Sequence, residues 1–310
     1  QRSNDCVSKE NEAVYNNNCK DLIKKYFCDY MMQQSLDLLQ LSRPRFWLYL
    51  AGPFVIGYLS GIHEVSEFNT TLFWLYLLYF LVPANIFLYG VNDLADGDTD
   101  QFNDKKKGYE ATLQTEAKKL LTAVLWGCVI LTLVLAYISS SLISTVILVA
   151  FLFLSYAYSQ KPFRWKAQPV IDSASNILYV LPGILGYSVS SGSLPSLWII
   201  LSCGFWTAAM HLFSAIPDIK ADSLANLKTT AVMLGQQKAL LWCSALWLIF
   251  AVSIYALFEL WWLVPVFIYP LMPIICVLNI TSPSKLYKVF PYLNAAVGFF
   301  LFWSIFLHKF

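Results

Sequence analysis

Two groups of aspartates stand at the ends of apolar segments, and their spacing suits the binding of a divalent cation. In the first group, Asn92 is followed by Asp93, Asp96, Asp98 and Asp100. At 100° per residue, all of these except Asp98 fall within about a quarter-turn of one another on a helix. Like charges so close together are unfavourable unless a cation neutralises them, so this group predicts a metal site.

The second group consists of Asp218 and Asp222, which share a helix face at a spacing of i, i+4, with His211 two turns deeper on that face. Mg²⁺ typically takes one or two carboxylate ligands and completes its shell with phosphate oxygens and water. We therefore predict that the two groups face each other and bind a diphosphate through Mg²⁺. A solvated acidic loop could explain either group alone, but two groups at equivalent segment ends favour the metal site.

The segments that carry these aspartates have the composition of membrane-spanning helices. Of the 310 residues, 58% are hydrophobic and 13% are charged, with a mean hydropathy of +0.56, whereas soluble domains carry about 25% charged residues. A net charge of +2 without a long basic block argues against a nucleic-acid partner. The predicted fold is an all-α bundle of nine transmembrane helices, at residues 46–62, 70–92, 120–138, 141–159, 173–190, 197–217, 238–257, 261–279 and 290–308.

The chain divides into a polar tail, residues 1–40, and one membrane domain, residues 41–310. Residues 19–40 have an amphipathic pattern that suits a helix lying on the membrane surface, and no signal-peptide pattern precedes them. Counting their edges, the tail and the four longer loops, at 93–119, 160–172, 218–237 and 280–289, contain every Lys and Arg except Lys309, so we expect these on the cytoplasmic side. An odd number of spans then places the C-terminus on the opposite side of a cell inner membrane or its equivalent.

The pattern N-D-x-x-D-x-x-x-D at residues 92–100, followed by D-x-x-x-D at residues 218–222, resembles that of the UbiA superfamily of intramembrane prenyltransferases. Segments at 42–44, 158–166 and 228–235 extend the likeness over most of the chain after the tail, and the lycopene elongase branch is the most similar. The resemblance implies nine spans and a central cavity open to lipid. It also implies two Mg²⁺ ions held by Asp93, Asp96, Asp100, Asp218 and Asp222.

The expected reaction is transfer of a prenyl group from an allylic diphosphate to a lipophilic acceptor. Charge-assisted contacts to the diphosphate are expected from nearby cations, namely Arg43, Lys105, Lys106, Lys166 and Lys228. The loop that resembles the family adds Tyr158 and Arg164 to the substrate-binding residues.

Three further kinds of polar or aromatic residue are expected at this site, each with an alternative. Tyr89, one turn before Asn92, could stabilise an allylic cation through its ring or could simply pack. Asn85, Asn176 and His211 could orient a substrate or could form hydrogen bonds between helices. Asp172 could act in the reaction, but a cap of the fifth span is favoured.

The aspartates bind only the diphosphate, so they leave the acceptor open. Members that form quinones usually carry an Arg-Pro-Leu type element after the first motif, whereas this chain has three lysines and Gly108 there. A site with few polar side chains would also leave the charge of an aromatic acid unpaired. We therefore predict an apolar polyene such as lycopene, with an aromatic quinone precursor or a glycerol lipid as alternatives.

A secondary transporter is the alternative from another class of protein. Transporters carry their functional acids near the membrane midplane on broken helices. Here every acid lies at the end of a span or in a loop, so the pattern favours an enzyme.

Overall fold

The computed structural model describes residues 39–95, 115–258 and 265–310. Within these ranges the chain folds into twelve α-helices joined by short turns and 3₁₀ segments. In chain order they are α1 Leu48–Gly61, α2 Thr71–Leu81, α3 Pro83–Ala95, α4 Thr115–Ser139, α5 Leu142–Ser159, α6 Ile171–Ala174, α7 Leu181–Ser191, α8 Leu197–Ala215, α9 Ile219–Leu224, α10 Thr230–Phe258, α11 Ile268–Val277 and α12 Pro283–Lys309. The predicted surface helix at 19–40 lies almost wholly outside the described residues.

Six helical segments in the described ranges are long and apolar enough to cross a membrane. They are Thr71–Ala95, Lys118–Ser139, Leu142–Ser159, Leu197–Leu224, Thr230–Leu257 and Pro283–Lys309. The other three predicted spans contain shorter helices, namely α1, the pair α6 and α7, and α11. In the ranges that the structure describes, the chain is thus all-helical with helices suited to a membrane, and its nine spans stay a prediction.

The second predicted span is bent where α2 meets α3. Val82 leaves the helical conformation, with φ −123° and ψ −66°, and Pro83 has no amide hydrogen to continue the ladder. The Asn85 side-chain amide donates to the carbonyl oxygens of Phe80 and Leu81, at 2.7 and 3.1 Å. Asn85 therefore satisfies backbone carbonyls at this bend, and the first motif begins at the other end of α3.

The fifth predicted span is also interrupted, because a 3₁₀ segment, Ser175–Tyr179, separates α6 from α7. The carbonyl oxygen of Asp172 accepts from the side chains of Ser175 and Asn176, at 3.2 and 2.6 Å. Irregular backbone is tolerated at membrane depth only where protein surrounds it, and Asp172 and Asn176 are both buried. This stretch lines the cavity described below.

Helices α1 and α7 approach each other closely because glycines form their interface. A methyl group on Gly57 would collide with the carbonyl of Gly183, and one on Gly186 would collide with the carbonyl of Phe54. Small residues allow helix backbones in a membrane to gain van der Waals contact that larger side chains prevent. Helices α1 and α7 therefore form a closely packed pair next to the 3₁₀ segment Ser175–Tyr179.

Two buried aromatic clusters lie on either side of the molecule's centre. One surrounds Phe54, Phe80 and Phe151, and the other surrounds Phe213 and Trp247. On the outside, large apolar side chains such as those of α4 and α5 are exposed, as expected for surfaces that face lipid tails.

The glycine interface makes the first testable prediction. Gly57→Ala should destabilise the protein by about 1 to 3 kcal/mol, because the backbone carbonyl it meets cannot move aside. Gly52→Ala is the matched control on the same helix, since nothing lies within 4 Å of the added methyl group. Thermal unfolding in detergent would measure both variants. Equal unfolding midpoints for Gly57→Ala and the wild type would contradict the close approach.

Candidate active site

A cavity of about 280 Å³ lies between the two aromatic clusters, at the ends of α3 and α8. Its walls bring together nine of the residues expected at the site, namely Arg43, Tyr89, Asn92, Tyr158, Lys166, Asn176, His211, Asp218 and Asp222. Residues of the two motifs, more than a hundred positions apart in the chain, therefore share one cavity.

The first motif is held in place by the loop that follows α5. The side-chain oxygen of Asn92 accepts from Ser159 Oγ and from Lys166 Nζ, both at 3.1 Å. The side-chain amide of Gln160 also donates to the carbonyl of Val91, at 3.1 Å. Lys166 is thereby fixed beside the motif, with its charge at the cavity wall.

Asp93 forms an ion pair with Arg43, whose Nη2 lies 2.7 Å from Oδ1. The guanidinium carbon also lies 4.6 Å from the centre of the Tyr89 ring, a distance typical of a cation–π contact. Arg43 has a left-handed backbone conformation, with φ 51°, just before the 3₁₀ segment Pro44–Phe46. This turn directs the segment before α1 onto the end of α3.

The second motif occupies the short turns after α8. Asp218 ends the 3₁₀ segment Ile216–Asp218, and Asp222 lies in α9. The hydroxyl of Thr229 donates to Asp222 Oδ2 at 3.4 Å, and the backbone N–H of Leu227 donates to the Asp222 carbonyl at 2.9 Å. The chain after the motif thus folds back on it.

Asp172 was expected to cap the fifth span, but it lies inside α6, whose N-cap is Val170 without a side-chain cap hydrogen bond. Its Oδ1 accepts from the backbone N–H of Ser173 at 2.6 Å. Its other oxygen accepts from the backbone N–H of Thr230 at 2.6 Å, and the Thr230 hydroxyl donates to Oδ1 as well. The carboxylate has no exposed surface, and it joins α6 to the first residue of α10.

Aromatic rings form much of the cavity wall below the charged groups. Phe46 lies 5.5 Å from Tyr49 and 6.0 Å from Tyr89, and Tyr49 lies 6.2 Å from Tyr179, measured between ring centres. Phe290 closes the wall from α12. Of these rings, Tyr89 was expected here from sequence, as was Tyr158 elsewhere on the wall. With aromatic residues at 16% of the chain, nothing in the pattern distinguished the other rings from ordinary packing.

The remaining expected residues lie elsewhere. Asn85, Asp93, Arg164 and Lys228 do not line the cavity, although Asp93 contacts it through Arg43. Asp96, Asp100, Lys105 and Lys106 lie outside the described residues. In the described part of the chain, no three acidic, histidine or cysteine side chains converge into a metal site by themselves, so the ligand role of each aspartate stays a prediction.

Chemically, the cavity has two kinds of lining. One is the set of carboxylates of the second motif with Arg43 and Lys166, which suits a cation-bridged polyanion. The other consists of aromatic and aliphatic side chains. The arrangement suits a molecule that has a strongly anionic head and an apolar tail.

Comparisons with known proteins agree with this geometry. Residues 50–305 match the model of the UbiA prenyltransferase family. A "Lycopene elongase/hydratase" from Haloferax volcanii is 38% identical over 83% of this chain and 84% of its own length. A protein of the same name from Corynebacterium glutamicum is 32% identical over 86% and 96%.

Solved structures share the fold. A UbiA homologue from Archaeoglobus fulgidus, bound to DMAPP and Mg²⁺, has a TM-score of 0.65 and 23% identity, covering 86% of this chain and 98% of its own. The apo structure of a UbiA homologue from Aeropyrum pernix has a TM-score of 0.66 and 17% identity, covering 85% and 98%. By its motifs, its family match and its fold, this chain belongs to the UbiA prenyltransferase family.

Proposed function

We propose that this protein transfers a short prenyl group from an allylic diphosphate to the end of an apolar polyene such as lycopene. The observation that carries the proposal is the single cavity that Asp218 and Asp222 share with Asn92, Arg43 and Lys166, above aromatic walls. The charged end suits the diphosphate, and the apolar end suits the two hydrocarbon chains.

The donor set at the charged end suits Mg²⁺, which prefers carboxylate and amide oxygens. Asp218 and Asp222 face the cavity beside Asn92, and we propose that two ions are held by Asp93, Asp96, Asp100, Asp218 and Asp222. Bound Mg²⁺ neutralises the charge that collects on a leaving diphosphate. The homologue structures with DMAPP and with GPP each contain Mg²⁺, which supports this assignment.

The chain's own cations complete the diphosphate site. Lys166 is held 3.1 Å from the Asn92 side-chain oxygen, and Arg43 is held by Asp93, so both charges are fixed before the substrate arrives. Fixed donors stabilise developing charge without reorganising during the reaction. Arg43 and Lys166 therefore favour departure of the diphosphate.

The allylic group that remains carries positive charge and needs protection from stray water. The rings of Phe46, Tyr49, Tyr89 and Tyr179 lie next to one another at the cavity. An aromatic face stabilises a cation by about 0.5 to 2 kcal/mol. These rings also exclude water, so that the acceptor double bond is the nucleophile the cation meets.

The proposed acceptor rests on the relatives and on the charge of the cavity. Three curated relatives that are 38 to 41% identical carry the name "Lycopene elongase/hydratase". Among the described residues, the two cations of the cavity wall already contact Asp93 and Asn92. An acceptor carboxylate would compete with these contacts, whereas a polyene requires none.

The first test removes one carboxylate. We expect Asp218→Asn to lower prenyl transfer by roughly 100-fold, because a lost ligand weakens metal assistance by about 3 kcal/mol. Membranes supplied with Mg²⁺, dimethylallyl diphosphate and lycopene would be assayed for product. Glu64→Gln, in the loop before α2, is the control and should retain activity. Retention of more than about a tenth of the activity in Asp218→Asn would exclude the assigned role.

The second test identifies the acceptor. In a host that makes lycopene, we expect the protein to yield carotenoids longer by one or two prenyl units, seen by mass spectrometry. Asp218→Asn serves as the matched inactive control. Transfer to 4-hydroxybenzoate or to a glycerol lipid with lycopene unchanged would replace the acceptor while leaving the prenyltransferase class intact.

The third test concerns sidedness. We propose nine spans with the aspartate motifs and the tail on the cytoplasmic side, supported by the position of every Lys and Arg except Lys309. A reporter fused after Phe310 should lie on the non-cytoplasmic side, and one inserted at Lys105 on the cytoplasmic side. If both reporters lie on the same side, the number of spans is wrong.

A further inference from the structure

Among the described residues that line the cavity, His211 alone combines a side chain basic enough to accept a proton near neutral pH with no assigned metal ion. Protonated Arg43 and Lys166 carry no lone pair. The carboxylates of Asp218 and Asp222 are assigned to Mg²⁺. His211 has no part in the binding of the diphosphate as described above, so its position requires a separate explanation.

The imidazole of His211 lies between two oxygen-bearing side chains. Its Nδ1 is 3.4 Å from the hydroxyl oxygen of Tyr158, and the two rings meet edge to face with centres 5.8 Å apart. Its Nε2 is 3.9 Å from Oδ2 of Asp172. Tyr158 and His211 both reach the cavity, whereas Asp172 is fully buried behind them.

Asp172 cannot turn away from His211, because Ser173 and both the N–H and the hydroxyl of Thr230 hold its oxygens. A carboxylate oxygen 3.9 Å from Nε2 favours the imidazole tautomer that carries its proton on that nitrogen. With Nε2 protonated, Nδ1 has a lone pair that accepts the Tyr158 O–H. The hydrogen-bonding order is thus Tyr158 and His211 at the cavity, followed by Asp172 in the protein interior.

We infer that Tyr158 and His211 form the proton relay that ends the reaction, with Asp172 as a positioning residue. This inference rests on the proposed function. When the prenyl carbon bonds to the acceptor double bond, a tertiary cation remains on the acceptor. It is quenched when a neighbouring C–H bond breaks and its electrons form a new double bond, or when a water oxygen bonds to the cation and loses a proton.

Either route releases one proton, and the relay takes it without any oxidant or reductant. The proton moves to the Tyr158 oxygen while the Tyr158 O–H proton moves to Nδ1 of His211. The resulting imidazolium lies beside the Asp172 carboxylate, and it later returns the proton to solvent. The relatives' name, "elongase/hydratase", describes the second route, in which the relay also orients the water.

The depth of the relay matches the place where the cation forms. His211 precedes Asp218 by seven residues, which is about 10 Å along a helix. In the proposed reaction, the diphosphate and the carbon attached to it lie nearest the aspartates, and the acceptor's reacting end lies beyond that carbon, beside His211.

The experiment uses the full chain in lipid nanodiscs with Mg²⁺, dimethylallyl diphosphate and lycopene. Diphosphate release and the ratio of alcohol to alkene products are measured for Tyr158→Phe, His211→Phe and His211→Ala. We expect finished product to fall by about 100-fold, an altered alcohol-to-alkene ratio and an unchanged KM for the donor. Added imidazole should restore product formation in His211→Ala, which a merely structural role for His211 would not allow.

Tyr79→Phe is the matched control, because it removes a buried tyrosine hydroxyl that contacts Thr132 at 2.8 Å outside the cavity. It should keep the wild-type product ratio. Wild-type rates and product ratios in both Tyr158→Phe and His211→Phe would overturn the relay, as would a folded His211→Ala that imidazole does not restore. A failure of the proposed function is distinguishable from a failure of the relay alone. The wild type itself would then leave lycopene unchanged, and both proposals would be overturned.

Discussion

A carboxylate with no exposed surface, Asp172, is the interaction on which the polar end of this molecule depends. Burial of a charge is unfavourable by several kcal/mol unless hydrogen bonds replace the lost water. Here three donors from Ser173 and Thr230 do so. Since Thr230 follows Thr229, which contacts Asp222, the same anchor sets the position of the second aspartate motif.

That anchor also accounts for the broken helix beneath it. The carbonyl of Asp172 is occupied by the side chains of Ser175 and Asn176, and the chain continues as a 3₁₀ segment before α7 begins. Irregular backbone would be unstable against lipid, but Ser175, Asn176 and Leu178 of this segment are buried in protein. Burial thus permits an irregular polar stretch beside the cavity.

The sequence was most informative about residues whose side-chain chemistry and helical spacing both indicate the same site. Asp218 and Asp222 at i, i+4, and Asn92 at the end of another apolar segment, were expected in one site and do share one cavity. The class of enzyme was correctly preferred over a transporter, because the acids lie at the ends of spans rather than at mid-depth, and the family match agrees.

The sequence was less informative where tertiary contacts decide the structure. The ion pair of Arg43 with Asp93 joins residues fifty positions apart, and no local sequence pattern predicts it. Asn85 was grouped with residues that orient a substrate, yet it bonds to carbonyls at the bend before α3. Tyr49 and Tyr179 reach the cavity only because α1 and the 3₁₀ segment meet there.

The size of the cavity has a consequence for how a long acceptor is handled. At about 280 Å³ it is near the lower limit of pockets that enclose drug-sized ligands, so the proposed acceptor, a polyene of carotenoid length, would enter by one tip while its remainder stays in the bilayer. Recognition would then depend on that tip alone. A symmetrical molecule offers the same tip twice, so its two halves would be modified in separate encounters, and the singly modified species would accumulate before the doubly modified one.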